Sequence, residues 1–239
     1  LNGILIAISG IIEAKMTNGI RVIEIKKSVF DDINRQAEAI RADMKMRKTL
    51  LLNLMSSPGS GKTTTLMKTI STLHTEMSIG IVEADVDSDV DAVTISQTGV
   101  RVIQVHTGGM CHMDAYMTRQ GLDEIGLDGL DLVVLENIGN LLCPAEVDTG
   151  AVKNVMILSV PEGDDKPLKY PAMFSMVDVL LVNKIDTLPY FDFDLNKLCN
   201  RVLKLNPDVD IIPVSARTGE GIDQWADWLR REVALWKQG

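Results

Sequence analysis

Residues 56–64 read Ser56-Ser57-Pro58-Gly59-Ser60-Gly61-Lys62-Thr63-Thr64, between a near-continuous apolar run at 49–55 and a helix-forming segment at 65–77. An apolar run of that kind is expected of a strand buried on both faces of a parallel sheet. Strand, glycine-rich loop and helix in this order are the context that a phosphate-binding P-loop requires. Glycines let backbone N–H groups turn inward around phosphate oxygens, the helix N-terminus adds its dipole, Lys62 adds a charge, and the Thr63 hydroxyl is placed to ligate Mg²⁺. The expected phosphate-side contacts are therefore Pro58, Gly59, Ser60, Gly61, Lys62, Thr63 and Thr64. Ser56 stands where the general pattern has glycine, so Gly59 and Gly61 carry the flexibility.

Short, mostly β-branched runs recur at 79–84, 101–105, 131–135, 155–160, 177–182 and 209–214, separated by helix-length segments. That alternation predicts an α/β P-loop NTPase fold, a doubly wound, mostly parallel sheet flanked by helices. A short strand at 21–26 leads into a helix that Ser28 is expected to cap and that runs to about Arg47, with Ile33, Ala37, Ile40 and Met44 at helical spacing. Ile222, Trp225, Leu229, Val233 and Trp236 share roughly one face of a last helix, where the tryptophans read as packing. In such sheets ligands sit at the carboxyl ends of the strands.

The 239 residues suit one domain, and 33 Asp+Glu against 24 Lys+Arg leave a net charge of -9. No broad basic field exists to meet a phosphate backbone or an anionic bilayer, so neither nucleic acid nor membrane is an expected partner. Three cysteines make no disulfide framework and fit reduced thiols in the cytoplasm. The apolar run at 3–12 is too short to span a bilayer. Because Met16 opens a well-patterned stretch, residues 1–15 are expected to be an upstream product of start-site choice. Residues 1–19 then form an N-terminal extension, and 20–239 a single nucleotide-hydrolase domain with an N-terminal strand and helix.

Asn183-Lys184-Ile185-Asp186 follows the run at 177–182 and resembles the guanine-specificity motif of GTPases. A carboxylate accepts both N1–H and the exocyclic amine of guanine, and adenine offers no such pair of donors. Ser215-Ala216-Arg217, after the next run, is similar to the loop that covers the base in GTPases. GTP is thus the expected nucleotide, with Asn183, Lys184, Asp186, Ser215, Ala216 and Arg217 around the base; an ATP-dependent small-molecule kinase is opposed by Asp186. Glu136-Asn137-Ile138-Gly139 stands where a GTPase switch usually reads Asp-x-x-Gly. Glu136 is expected to hold Mg²⁺ through water and the Gly139 amide to sense the γ-phosphate. Asp85, Asp87, Asp89 and Asp91 lie close together, and Asp85 is chosen for Mg²⁺ or the attacking water, with Asp91 second. The expected catalytic set is Lys62, Asp85, Glu136 and Gly139, with Thr63 and Asp85 on Mg²⁺.

Cys111 and His112 are adjacent, and Cys143 follows Gly139 by four residues. Thiolate and imidazole together suit Zn²⁺ or Ni²⁺ rather than a hard cation. Three ligands do not close a structural tetrahedral site, so the fourth is expected from water or a second copy of the chain. The alternative is two buried cysteines and an incidental histidine.

The stretches Gly-Gly-Met-Cys-His-Met-Asp-Ala (108–115), Glu-Asn-Ile-Gly-Asn-Leu-Leu-Cys-Pro (136–144), Glu-Gly-Asp-Asp-Lys-Pro-Leu-Lys-Tyr-Pro (162–171) and Asn-Lys-Ile-Asp-Thr-Leu-Pro-Tyr-Phe-Asp-Phe-Asp (183–194) resemble the hydrogenase nickel-incorporation GTPases, HypB. The resemblance runs from about Val22 to Trp236. It implies a GTPase of the signal-recognition-particle and MinD-like class that dimerises on GTP, carries Zn²⁺ or Ni²⁺ at the dimer interface on Cys111, His112 and Cys143, and works with hydrogenase maturation proteins to deliver nickel to the hydrogenase large subunit. No cysteine precedes Cys111 and the chain has only three histidines, so the nickel-storage motifs of some relatives are missing; Ala84 precedes Asp85 where relatives often have glycine. A urease-type nickel accessory GTPase is the nearest alternative, but its metal motif reads Cys-Pro-His. A GTP-dependent regulatory or scaffolding protein without metal transfer is the other.

Overall fold

The computed structural model describes residues 14–17, 20–23, 25–85 and 90–239, with side chains from Asp31 onward. The apolar run at 3–12, and Asp87 and Asp89, lie outside the described residues. Strands β1 (Ala14–Thr17) and β2 (Ile20–Ile23) pair antiparallel, and helix α1 (Ile25–Arg47) follows at once. The strand expected at 21–26 therefore ends at Ile23, and Ser28 lies inside α1 instead of capping it. Lys26 and Lys27 are good helix formers, and nothing between Ile25 and Ser28 breaks the helix.

Seven parallel strands form the main sheet: β3 (Leu50–Ser56), β4 (Ile79–Asp85), β5 (Arg101–His106), β6 (Leu132–Glu136), β7 (Lys153–Ser159), β8 (Val179–Asn183) and β9 (Asp210–Pro213). Their order is β5-β4-β6-β3-β7-β8-β9, with every neighbouring pair parallel. The doubly wound sheet that the sequence pattern predicts is thus present, with all seven strands parallel. Helices α2 (Lys62–Leu73), α3 (Val90–Ser96), α4 (Ala115–Ile125), α5 (Lys166–Lys169), α6 (Pro171–Ser175), α7 (Leu195–Leu205) and α8 (Ile222–Gln238) connect or follow them.

Strand β3 is buried along its whole length, because successive side chains feed opposite apolar layers. Leu50, Leu52 and Leu54 pack with Leu66 and Ile70 of α2 and with Trp225 and Leu229 of α8. Leu51 packs on the other face with Ala37, Ile40 and Met44 of α1 and Leu122 of α4. The Trp225 indole N–H donates to Thr69 Oγ1 at 3.0 Å and that of Trp236 to the Thr49 carbonyl at 2.9 Å, so both tryptophans pack as expected. Because all strands point one way, the loops after β3, β6, β8 and β9 and the carboxyl end of β4 meet at one edge, with the central β3 delivering the P-loop between them.

Candidate functional site

The loop after β3 turns through left-handed backbone at Gly59 (φ 75°) and Gly61 (φ 100°) before α2 begins at Lys62. Gly61 is required twice over, since a Cβ there would also stand 2.6 Å from Asn183 Nδ2. No described side chain caps α2 and its first turn holds no acidic residue, so its first N–H groups and its dipole are open to an anion. Ser56, the departure from the general pattern, has a use: its Oγ accepts from Lys62 Nζ at 3.1 Å and donates to the Ser57 carbonyl at 2.8 Å. Ser57 donates to Glu162, whose other oxygen accepts from Ser159 N and Oγ at 2.7 Å, so a capping box after β7 braces the phosphate loop. Pro58 is exposed on the loop and Thr64 in the first turn of α2, and Ser60 is buried.

The Thr63 hydroxyl donates to Glu136 Oε1 at 3.2 Å, bringing together two residues 73 positions apart. Glu136 ends β6 in register with Glu83 of β4, and strand periodicity puts Asp85 on the same face as Glu83. Both glutamates are almost fully buried, and Glu83 Oε2 and Glu136 Oε2 have no hydrogen-bond partner among the described residues. Burial pushes the Glu83 carboxyl up to about 8, reinforced by Glu136, Asp85 and Asp91 and opposed by Lys62. Burial likewise raises Glu136 to about 7 against the pull of Lys62. Asp91, in the first turn of α3, is exposed yet within electrostatic reach of both. Orphaned buried carboxylate oxygens beside a threonine hydroxyl at a P-loop fit a hard, oxygen-seeking divalent cation.

The segment at which the sequence motifs place a base is tied to the phosphate loop. Asn183 Nδ2 donates to the Ser60 carbonyl at 2.9 Å, and its Oδ1 accepts from Lys184 N and Ala216 N at 2.8 and 3.1 Å. Lys184, itself left-handed at φ 62°, sends Nζ 2.7 Å from the Gly59 carbonyl. Asp186 Oδ1 accepts from Ser215 Oγ at 2.7 Å, and Arg217, largely exposed, lies 3.8 Å from Oδ2. The two sequence motifs thus hold each other, with the Asp186 carboxylate oriented by Ser215.

Cys111, His112 and Cys143 offer ligand atoms all within 4.8 Å of one another, although Cys111 and Cys143 are 32 residues apart. Cys111 Sγ lies 2.7 Å from Cys143 Sγ and 3.7 Å from His112 Nδ1. The alternative of separate buried sulfurs is not what the chain folds into: Cys111 is exposed and Cys143 half-buried, on one surface. The hydrogen bond to Cys143 holds the Cys111 thiol above its ordinary range, so a cation binding there displaces protons. Asn140 ties the site together, its Oδ1 accepting from Leu142 N at 2.8 Å and Cys143 N at 3.4 Å while Nδ2 donates to the Cys111 carbonyl at 3.4 Å. Asp114 stops the loop by capping α4 through Met117 N.

Glu83, Asn137, Asn53 and Glu162 join the site beyond the residues that the sequence motifs predict. Glu83 and Asn53 are polar positions inside apolar strands and Asn137 directly follows one, so each must find a partner or a task when buried, whereas the half-buried Glu162 is marked only by its place in the capping box after β7.

Residues 50–213 match the family described as CobW/HypB/UreG, nucleotide-binding domain. The hydrogenase maturation factor HypB of Escherichia coli (strain K12) is 45% identical over 212 residues, spanning 89% of this chain and 73% of that one. Among solved structures, HypB from Helicobacter pylori in complex with nickel has a TM-score of 0.81 at 33% identity, covering 85% of this chain and 96% of that one. HypB from Archaeoglobus fulgidus has a TM-score of 0.80 at 33% identity, covering 85% of this chain and 99% of that one.

Proposed function

We propose, from the premise that this chain belongs to the hydrogenase maturation factor HypB family within the CobW/HypB/UreG nucleotide-binding domains, that it hydrolyses GTP and uses the cycle to carry nickel toward a hydrogenase. The observation that carries this reading is the convergence of Cys111, His112 and Cys143 within 4.8 Å, with Cys143 on the segment that continues directly from Glu136 and Gly139.

In the proposed cycle the P-loop N–H groups and Lys62 bind the β- and γ-phosphates, while Asp186, held by Ser215, reads the guanine edge. Thr63, Asp85 and Glu136 would hold Mg²⁺, which when bound neutralises charge building on the phosphate oxygens. Asp85 or Glu136 orients the attacking water, and the Gly139 amide faces the γ-phosphate. Water attacks the γ-phosphorus, the bond to the β-phosphate oxygen breaks, and GDP and phosphate leave. Nickel, the cargo, binds the thiolates and imidazole, and with three ligands from one chain the fourth comes from water or from the same surface of a second copy, giving a GTP-dependent homodimer. Zn²⁺ suits the same donors. Hydrogenase maturation proteins and the hydrogenase large subunit are the proposed partners, and the cytoplasm, where such thiols stay reduced, is the proposed location. No helix among the described residues is long and apolar enough to cross a membrane.

The test is paired. Purified under reducing conditions, the chain should bind Ni²⁺ stoichiometrically and turn over GTP in preference to ATP, and Lys62→Ala should abolish turnover. GTP hydrolysis without any stoichiometric metal would leave a scaffolding or regulatory G protein in its place.

A further inference from the structure

Asn137 sits between Glu136 and Gly139, yet its side chain faces the thiol loop. Its Oδ1 accepts from the backbone N–H of Met113 at 3.1 Å and of Ile138 at 2.9 Å. Its Nδ2 donates to Asn53 Oδ1 at 3.0 Å, and Asn53 Nδ2 donates in turn to Asn154 Oδ1 at 3.1 Å. Both backbone partners are donors only, which fixes the amide's orientation and forces Nδ2 toward Asn53. Asn137 and Asn53 are 0% and 1% exposed, and Met113, which directly follows His112, is also buried. One amide is therefore bonded at once to the loop expected to feel the γ-phosphate, to the loop that carries Cys111 and His112, and to the strand that delivers the P-loop.

We infer that Asn137 is a positioning residue that transmits the nucleotide state to the Cys111–His112–Cys143 site, an inference that rests on the proposed linkage between nucleotide and metal. Residues 136–139 cannot shift without either drawing the Met113 N–H with them or leaving it buried and unpaired, and the first costs less. Cys143 moves with the same segment, because it follows Gly139 through Asn140, whose side chain also holds the Cys111 carbonyl. The two ligand-bearing loops are thus tied to one another twice, once through Asn137 and once through Asn140. Only the first tie also reaches, through Asn53, the strand that leads into the P-loop.

The experiment measures Ni²⁺ affinity with GDP and with a non-hydrolysable GTP analogue in the full chain and in Asn137→Ala, Asn53→Ala and Asn140→Ala. The unsubstituted chain should show a ratio between the two states of about fivefold or more, the lower end of usual coupling. Asn137→Ala should cut that ratio well below the unsubstituted value while nickel still binds, the remainder being what Cys143 carries along the chain from Gly139, and Asn53→Ala, which touches neither ligand, should shrink it as well. Asn140→Ala should weaken nickel binding in both states and keep the ratio, which separates local support of the metal site from transmission. A ratio of one in the unsubstituted chain overturns the linkage and this inference together. A full ratio retained in Asn137→Ala overturns the inference alone; should that variant not fold, a full ratio in Asn53→Ala does the same.

Discussion

Gly139 lies so close to the phosphate loop that a Cβ on it would stand 2.9 Å from the backbone nitrogen of Pro58. Gly139 is not among the left-handed glycines, so a larger residue there is opposed by contact and not by torsion. The loop that begins at Glu136 and ends at Cys143 therefore rests directly on the backbone that would cradle phosphate.

Gly139→Ala forces that backbone apart. The expected outcome is a loss of about 1–3 kcal/mol of stability, the usual cost of an overpacked contact, together with weaker GDP binding. Thermal unfolding with and without GDP checks it, and unchanged behaviour in both would show that the P-loop does not depend on this contact.

Acidity at the glutamates sets a pH dependence. Glu83 and Glu136 rise from an ordinary 4.5 to about 8 and about 7 in the fold. The native state then keeps protons that the unfolded chain has released, so the metal-free protein is favoured below about 4.5 and loses that stability as pH rises toward about 8. Mg²⁺ binding, which needs the charged carboxylates, should tighten over the same window. Glu83→Gln should flatten both slopes, to be read as Tm against pH with chelator and as Mg²⁺ affinity with GDP bound. A metal-free Tm that climbs through this window would have the wrong sign.

Asp186→Asn exchanges an acceptor for a donor facing the base. Guanine affinity should fall toward the roughly 10⁴-fold penalty of a site that reads its ligand by hydrogen bonds, while xanthine, which presents a carbonyl in place of the amine, should gain. Competition between GDP and xanthosine diphosphate reads this directly, and an unaltered preference for guanine would remove Asp186 from base recognition.

Cys143→Ala takes away one of the three proposed ligands. Nickel affinity should fall by more than the roughly 10- to 100-fold that loss of an outer-shell partner costs. GDP affinity should stay within about threefold, because interaction between groups without shared partners is small. Calorimetric titration of each ligand checks the pair of outcomes, and a collapse of GDP binding would contradict the separation of the two sites.

Much of this was legible in the sequence because apolar runs such as 49–55 and 177–182 leave few options beyond buried parallel strands. Gly59, Gly61 and Lys62 announce a phosphate loop, and the order of the later motifs places the base side. The start of α1 was not legible, since Ser28 carries a capping signal that the preceding helix formers override. Glu83 and Asn53 were hidden for a different reason: each occupies one position of an otherwise apolar strand, and its partner, Glu136 or Asn137, is set by strand order, which local pattern does not encode. The nearness of Cys111 and Cys143 likewise depends on the loops after β5 and β6 meeting at one edge of the sheet.

The most direct measurement is the dissociation constant of Ni²⁺ from the intact chain in the presence of GDP and of a non-hydrolysable GTP analogue. The two constants should differ by a factor within the usual range of about 5- to 150-fold, and Ni²⁺ should change the preference between the nucleotides by the same factor, as reciprocity demands. Equal constants would contradict the claim that an occupied phosphate loop reshapes the thiol site.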